Sequence, residues 1–177
     1  MKNKLVGFLF GTLLILSTLT SCEDKEAAVA DIRLANVTET VVSNGDFDVL
    51  EAAVVKANLA TTLSGDGPFT VFAPTDAAFI TYLGAANESA AITAVNGIDA
   101  TVLANILQYH VVGQKIQANQ LTNGAVTSLN GKSFTVDLTG FAKVTGTGNA
   151  GNASKVIIAD IIVANGIIHA IDRVLIP

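Results

Sequence analysis

The sequence predicts an α+β domain, and three observations carry that prediction. Helical periodicity gathers in the first half of the chain, as in residues 46–59, where Phe47, Leu50, Val54 and Leu59 recur on one face. From Tyr109 onward the period shortens to that of strands. The turn pairs Asn130-Gly131 and Asn165-Gly166 punctuate this second half, and both residue types tolerate the positive φ of a tight hairpin. Segregated helices and hairpin-linked strands give α+β rather than alternating βαβ.

The elements follow in order. Asp46 is placed to cap the first of these helices. Gly67-Pro68 stops the helical region, and residues 69–73 (FTVFA) form a short apolar strand. Pro74-Thr75 turns the chain, and Thr75 is placed to N-cap a helix over residues 76–82. Two further helices are expected over 88–95 and 100–107, with Asp99 capping the second. Strands are expected over 109–112, 125–129, 133–138, 142–145, 156–163 and 167–176. The segment IIADIIV is a near-continuous apolar run, which predicts a strand buried on both faces. Residues 146–152 (GTGNAGN) are expected to form a mobile loop.

The N-terminal residues read as a targeting segment. Lys2 and Lys4 form a basic start, followed by an apolar run of 12 residues, 5–16. About 18 would be needed to span a bilayer as a helix, so the run is a signal-peptide core. Leu19-Thr20-Ser21-Cys22 resembles a bacterial lipoprotein processing box. The expected arrangement is a signal peptide over 1–21, a lipidated Cys22 opening a charged tether over 22–31, and one domain over 32–177. Cys22 is the only cysteine, so it has no internal disulfide partner, and lipidation accounts for a lone thiol in an exported chain. Acidic residues directly after it resemble surface-export signals of some Gram-negative lipoproteins. The expected location is therefore the cell envelope, at the outer membrane.

Removing Lys2 and Lys4 from the 10 basic residues leaves 8 against 15 acidic ones, and net charge moves from −5 to −7. An acidic surface repels phosphate backbones, so nucleic acid is not an expected partner. A domain of this size buries about 68–70% of its unfolded surface, enough to stand without disulfides, and a monomer is expected.

Three segments together resemble one family. Residues 69–79 (FTVFAPTDAAF) are similar to the first signature of fasciclin domains, Tyr109-His110 in LQYHVV to the family's central Tyr-His motif, and residues 165–177 (NGIIHAIDRVLIP) to its second signature. The resemblance implies two short β-sheets packed as a wedge or sandwich, with helices around one end. It implies a non-catalytic role in cell adhesion or matrix interaction, through protein or glycan ligands. It also points to Tyr109, His110, Asp160 and Ile161 as candidate partner-binding residues, because Tyr-His and Asp-Ile motifs have been proposed for receptor binding in animal relatives. The Gly/Asn loop at 146–152 replaces a strand pair that the family often carries.

Other chemistries find little support. His110 and His169 are the only groups titrating near neutral pH. A metal site needs three or four ligands, and no HExxH or calcium loop is present; Asp46 and Asp48 start an acidic spacing that is not continued. No metal and no cofactor are expected. Gly131-Lys132-Ser133 mimics the end of a P-loop, but position 126 is Val126 rather than glycine. No GxSxG elbow exists, so catalysis is not expected. Both histidines are instead expected to be buried ties within a structural motif of Thr75, Asp76, His169 and Asp172, with the two carboxylates as their partners. An alternative function is a soluble-ligand receptor with a pocket between helices and sheet.

Overall fold

The computed structural model describes residues 33–177, so the expected signal segment, Cys22 and the tether lie outside the described residues. Six α-helices come from the first two thirds of the described chain: α1 (Val37–Val42), α2 (Asp48–Lys56), α3 (Ala60–Leu63), α4 (Asp76–Leu83), α5 (Glu88–Gly97) and α6 (Ala100–Tyr109). One strand, β1 (Phe69–Pro74), interrupts them. The remaining strands are β2 (Val111–Val112), β3 (Gly124–Thr127), β4 (Ser133–Asp137), β5 (Lys143–Thr145), β6 (Ser154–Val163) and β7 (Gly166–Ile171). They hydrogen-bond in the order β2-β1-β7-β6-β5-β4-β3. β1 and β7 run parallel, and the other pairs are antiparallel.

The order is continuous, yet the strands form two layers joined through β6. Its pairing with β7 shifts register between Val156 and Ile158 and again between Ile158 and Ile161. Such bulges bend a strand sharply. Asp160, at the second shift, has φ +59°, a conformation that Asp tolerates better than the isoleucines around it. β4 thereby comes to lie over β1, and the Phe72 and Phe134 rings meet edge to face at 5.2 Å.

Two cores result, one on each side of β1 and β7. Strand alternation sends Val71, Ala73, Ile168 and Ala170 toward the helices, where they join Phe47, Leu50, Val54, Phe79, Leu103 and Leu107. Phe72 and Ile171 point the other way and join Tyr109, Phe134, Val136, Val144 and Leu175. β7 is therefore enclosed along all six residues. It ends at Ile171, and residues 172–177 pack without strand pairing.

Several local expectations are corrected. Asp46 does not cap α2: Phe47 is the N-cap residue and offers no side-chain bond. Asp76 supplies the cap instead, its Oδ1 accepting from Val49 N–H at 2.8 Å. Thr75 does occupy the N-cap position of α4, but through its backbone alone. Tyr109 and His110 are not in a strand; Tyr109 ends α6 and His110 is its C-cap. The segment IIADIIV is not buried on both faces, since Ile157, Ile158 and Ile162 are 51%, 49% and 51% exposed.

Candidate functional site

The segments expected to carry function meet along one seam, where residues 165–177 pack in turn against the helices at Val37 and Leu63, against β6, and against the end of α6 and the Gly/Asn loop. Tyr109 is fully enclosed; its hydroxyl donates to Ser133 O at 2.7 Å and accepts from Thr147 N–H at 3.2 Å. His110 is also enclosed. Its Nδ1 lies 2.8 Å from Ile106 O, and its Nε2 accepts from Leu175 N–H at 2.8 Å. A carbonyl only accepts and an amide only donates, so the proton sits on Nδ1. Burial pushes the His110 pKa down to about 4.

His169 is the opposite tautomer. Its Nδ1 accepts from Asp160 N–H at 3.2 Å, and its Nε2 donates to Ile116 O at 3.0 Å. Its ring packs against Phe72 with centroids 5.4 Å apart. Burial lowers its pKa as well, although the Ile116 carbonyl and the Asp160 carboxylate oppose the shift. The expected carboxylate partners are corrected: both rings bond only to backbone. Asp76 is occupied with α2, and Asp172 accepts from Lys155 N–H at 2.7 Å, with Ser154 Oγ 3.3 Å away.

The hairpin and the loop are built differently from expectation. Neither Asn165 nor Gly166 adopts positive φ. Asn165 is a clamp: its Nδ2 donates to Leu63 O at 2.8 Å and Gly65 O at 2.7 Å, and its Oδ1 accepts from Val37 N–H at 2.9 Å. Gly166 is required by close approach, because a Cβ there would stand 2.2 Å from Phe69 O. The 146–152 loop is pinned rather than mobile. Asn149 is buried, its Oδ1 accepts from Gly146 N–H and Ile176 N–H at 3.1 and 2.9 Å, and its Nδ2 donates to Val174 O at 2.9 Å.

Of the four candidate partner-binding residues, Tyr109 and His110 therefore present no side-chain surface in the folded domain. Asp160 is half-buried, and its Oδ1 accepts from Ala118 N–H at 2.8 Å. Ile161 is half-buried against the helical core. The apolar surface lies beside this pair. Phe141, 73% exposed, and Ile157 line one open depression of about 290 Å³. Ile157 and Ile158 border a second of about 420 Å³. Between helices and sheet, the gap lined by Leu50, Val71, Phe72 and His110 measures only about 20 Å³, as does a second one among Val42, Val55 and Leu63 of the helices. A small-molecule pocket needs about 300 Å³ or more; the depression between α4 and the Gly/Asn loop, lined by Thr81, Tyr82, Asn149 and Arg173, comes nearer to that size at about 290 Å³.

The comparisons with known proteins agree with this geometry. The family model for the fasciclin domain matches residues 45–177. Protein sll1483 of Synechocystis sp. is 36% identical over 177 residues, covering 98% of this chain and 92% of that protein. The transforming growth factor-beta-induced protein ig-h3 of Sus scrofa is 34% identical over 145 residues, which cover 80% of this chain and 19% of that protein. Among solved structures, the FAS1 domain pair of the insect cell adhesion molecule Fasciclin I superposes with a TM-score of 0.64 at 18% identity. That match covers 82% of this chain and 52% of the pair. The chain belongs to the fasciclin domain family.

Proposed function

We propose that the chain is a non-catalytic binding domain that mediates adhesion or matrix contact at the cell envelope. The observation that carries this reading is the apolar surface of Phe141, Ile157 and Ile158, left open on a domain whose signature residues are spent in closing the fold. Singly exposed apolar residues are ordinary, whereas neighbouring ones mark contact surfaces. A lipid on Cys22 holds the chain to the membrane, and protein or glycan ligands on matrix or cell surfaces are the partners. The acidic balance disfavours nucleic acid. The domain works as a monomer and without a cofactor.

The test is a binding screen of residues 23–177 against matrix proteins, glycans and cell surfaces, with Ile157→Asp in parallel. Saturable binding that falls about tenfold or more in the variant, with an unchanged melting midpoint, supports the reading; a tenfold loss is about 1.4 kcal/mol. Signal no higher than a blank surface overturns it. The anchor is tested separately, since Cys22→Ser releases the protein from membranes if the lipid is the attachment.

A further inference from the structure

The starts of three helices meet at one corner of the domain. Asp48, Asp76 and Glu88 are the first residues of α2, α4 and α5. Each of the three offers a carboxylate oxygen, and these oxygens all lie within 4.8 Å of one another. Taken singly, an acid in a first turn is ordinary, because it complements the partial positive charge of a helix N-terminus. That explanation covers each residue and leaves the convergence unexplained.

A second observation concerns Asp76. The residue is 8% exposed, and while its Oδ1 accepts from Val49 N–H, its Oδ2 is enclosed with no hydrogen-bond partner. It is the sole side-chain nitrogen or oxygen in that condition among the described residues. A buried, unpartnered carboxylate oxygen costs free energy unless a cation or donor meets it. Protein cations do not: the ion pairs among the described residues are Arg33–Glu39 and Lys143–Asp137, and neither is at this corner. The backbone N–H groups of Val49 and Asp48 favour the Asp76 carboxylate, whereas the charged groups acting on it, Asp48 and Asp46, add only negative charge. Burial pushes the Asp76 carboxyl up, and burial together with Asp76 and Asp48 raises Glu88.

We propose that Asp48, Asp76 and Glu88 form a binding site for a hard divalent cation of calcium's size. Carboxylate oxygens are the ligands such ions take, at about 2.4 Å, so two of them on one ion stand no more than about 4.8 Å apart. The three oxygens fall within that reach. The adjoining depression of about 420 Å³, bordered by Asp46, Asp76 and Glu88, leaves room for the water molecules that complete the sphere. The ligands come from three helix starts 40 residues of chain apart rather than from one loop, which is why no calcium-loop spacing is visible in the sequence. The bound ion would tie α2, α4 and α5 together at the edge of the Ile157–Ile158 surface.

The experiment melts the full chain, and its Glu88→Gln and Asp76→Asn variants, at pH 7.5 in EDTA and in 5 mM calcium chloride, with calorimetric titration of calcium alongside. Calcium raises the wild-type midpoint saturably, by about 4 °C or more, if it binds the folded state well below that concentration. Glu88→Gln alters an exposed side chain and keeps the fold, so loss of the calcium response in that variant supports the site. An unshifted wild type, or an equal shift in wild type and Glu88→Gln, overturns it. Because the readout is stability, this outcome is independent of whether an adhesive partner is found.

Discussion

The closing seam and the acidic corner are two buried polar regions with opposite accounting. At the seam, His110, His169, Asn149 and Asn165 all find backbone partners between 2.7 and 3.2 Å. At the corner, one oxygen of Asp76 has none, and its neighbours repel it. A polar group that is fully paired inside a protein fixes the chain in one arrangement, while one left unpaired raises the energy of the folded state until something arrives to meet it. The difference separates the part of the molecule that closes the fold from the part poised to bind.

The largest effect expected at the seam comes from Asn165→Ala. Three backbone groups on two segments lose their partner together, so stability falls by about 3 kcal/mol, measured by urea denaturation at pH 7.5. A loss below about 1 kcal/mol would mean that the hairpin holds without its clamp.

Acid separates the two regions by sign. The unfolded His110 titrates at 6.5 and the folded one at about 4, so the unfolded chain takes up the proton first. The stabilisation from neutral His110 is full above pH 6.5 and is lost as pH falls toward 4, reaching about 2 kcal/mol by pH 5. Asp76 runs the other way. Its folded pKa is raised, so its cost is greatest at neutral pH and shrinks as acid protonates it on the way down to its unfolded value near 3.8. His110→Gln, less stable at pH 7.5, is therefore expected to lose less than wild type between pH 7.5 and 5. A parallel decline in the two proteins would remove His110 as the source.

The smallest effect is a gain. Asp76→Asn keeps an oxygen for Val49 N–H and places an amide against Asp48 and Glu88, so in EDTA at pH 7.5 the variant is expected to gain about 0.5–1 kcal/mol. A loss of similar size would show that the charge at the α2 cap outweighs the crowding.

The sequence made local devices readable and hid the ones assembled over distance. Asp99 caps α6, accepting from Thr101 N–H at 2.9 Å, because a cap and its helix are neighbours in the chain. Burial of both histidines followed from polar residues set in apolar segments. Their partners did not, since Ile106, Leu175, Asp160 and Ile116 are chosen by packing. The same is true of Asp76, which caps a helix that begins 28 residues earlier rather than its own. Exposure of Ile157 and Ile158 was hidden for another reason: an apolar run looks alike whether covered on both faces or on one, and the bulges of β6 decide which. The grouping of Asp48 and Glu88 with Asp76 has no signal in sequence spacing at all.

The central claim is that the Tyr-His motif and the terminal signature close the fold, and that binding belongs to the surface. Nitrogen-15 NMR of the two imidazole rings tests it most directly, because the chain has only two histidines. The account predicts two neutral rings of opposite tautomer at pH 7.5, the proton on Nδ1 of His110 and on Nε2 of His169. A ring that titrates near 6.5, or the same tautomer at both positions, would contradict it.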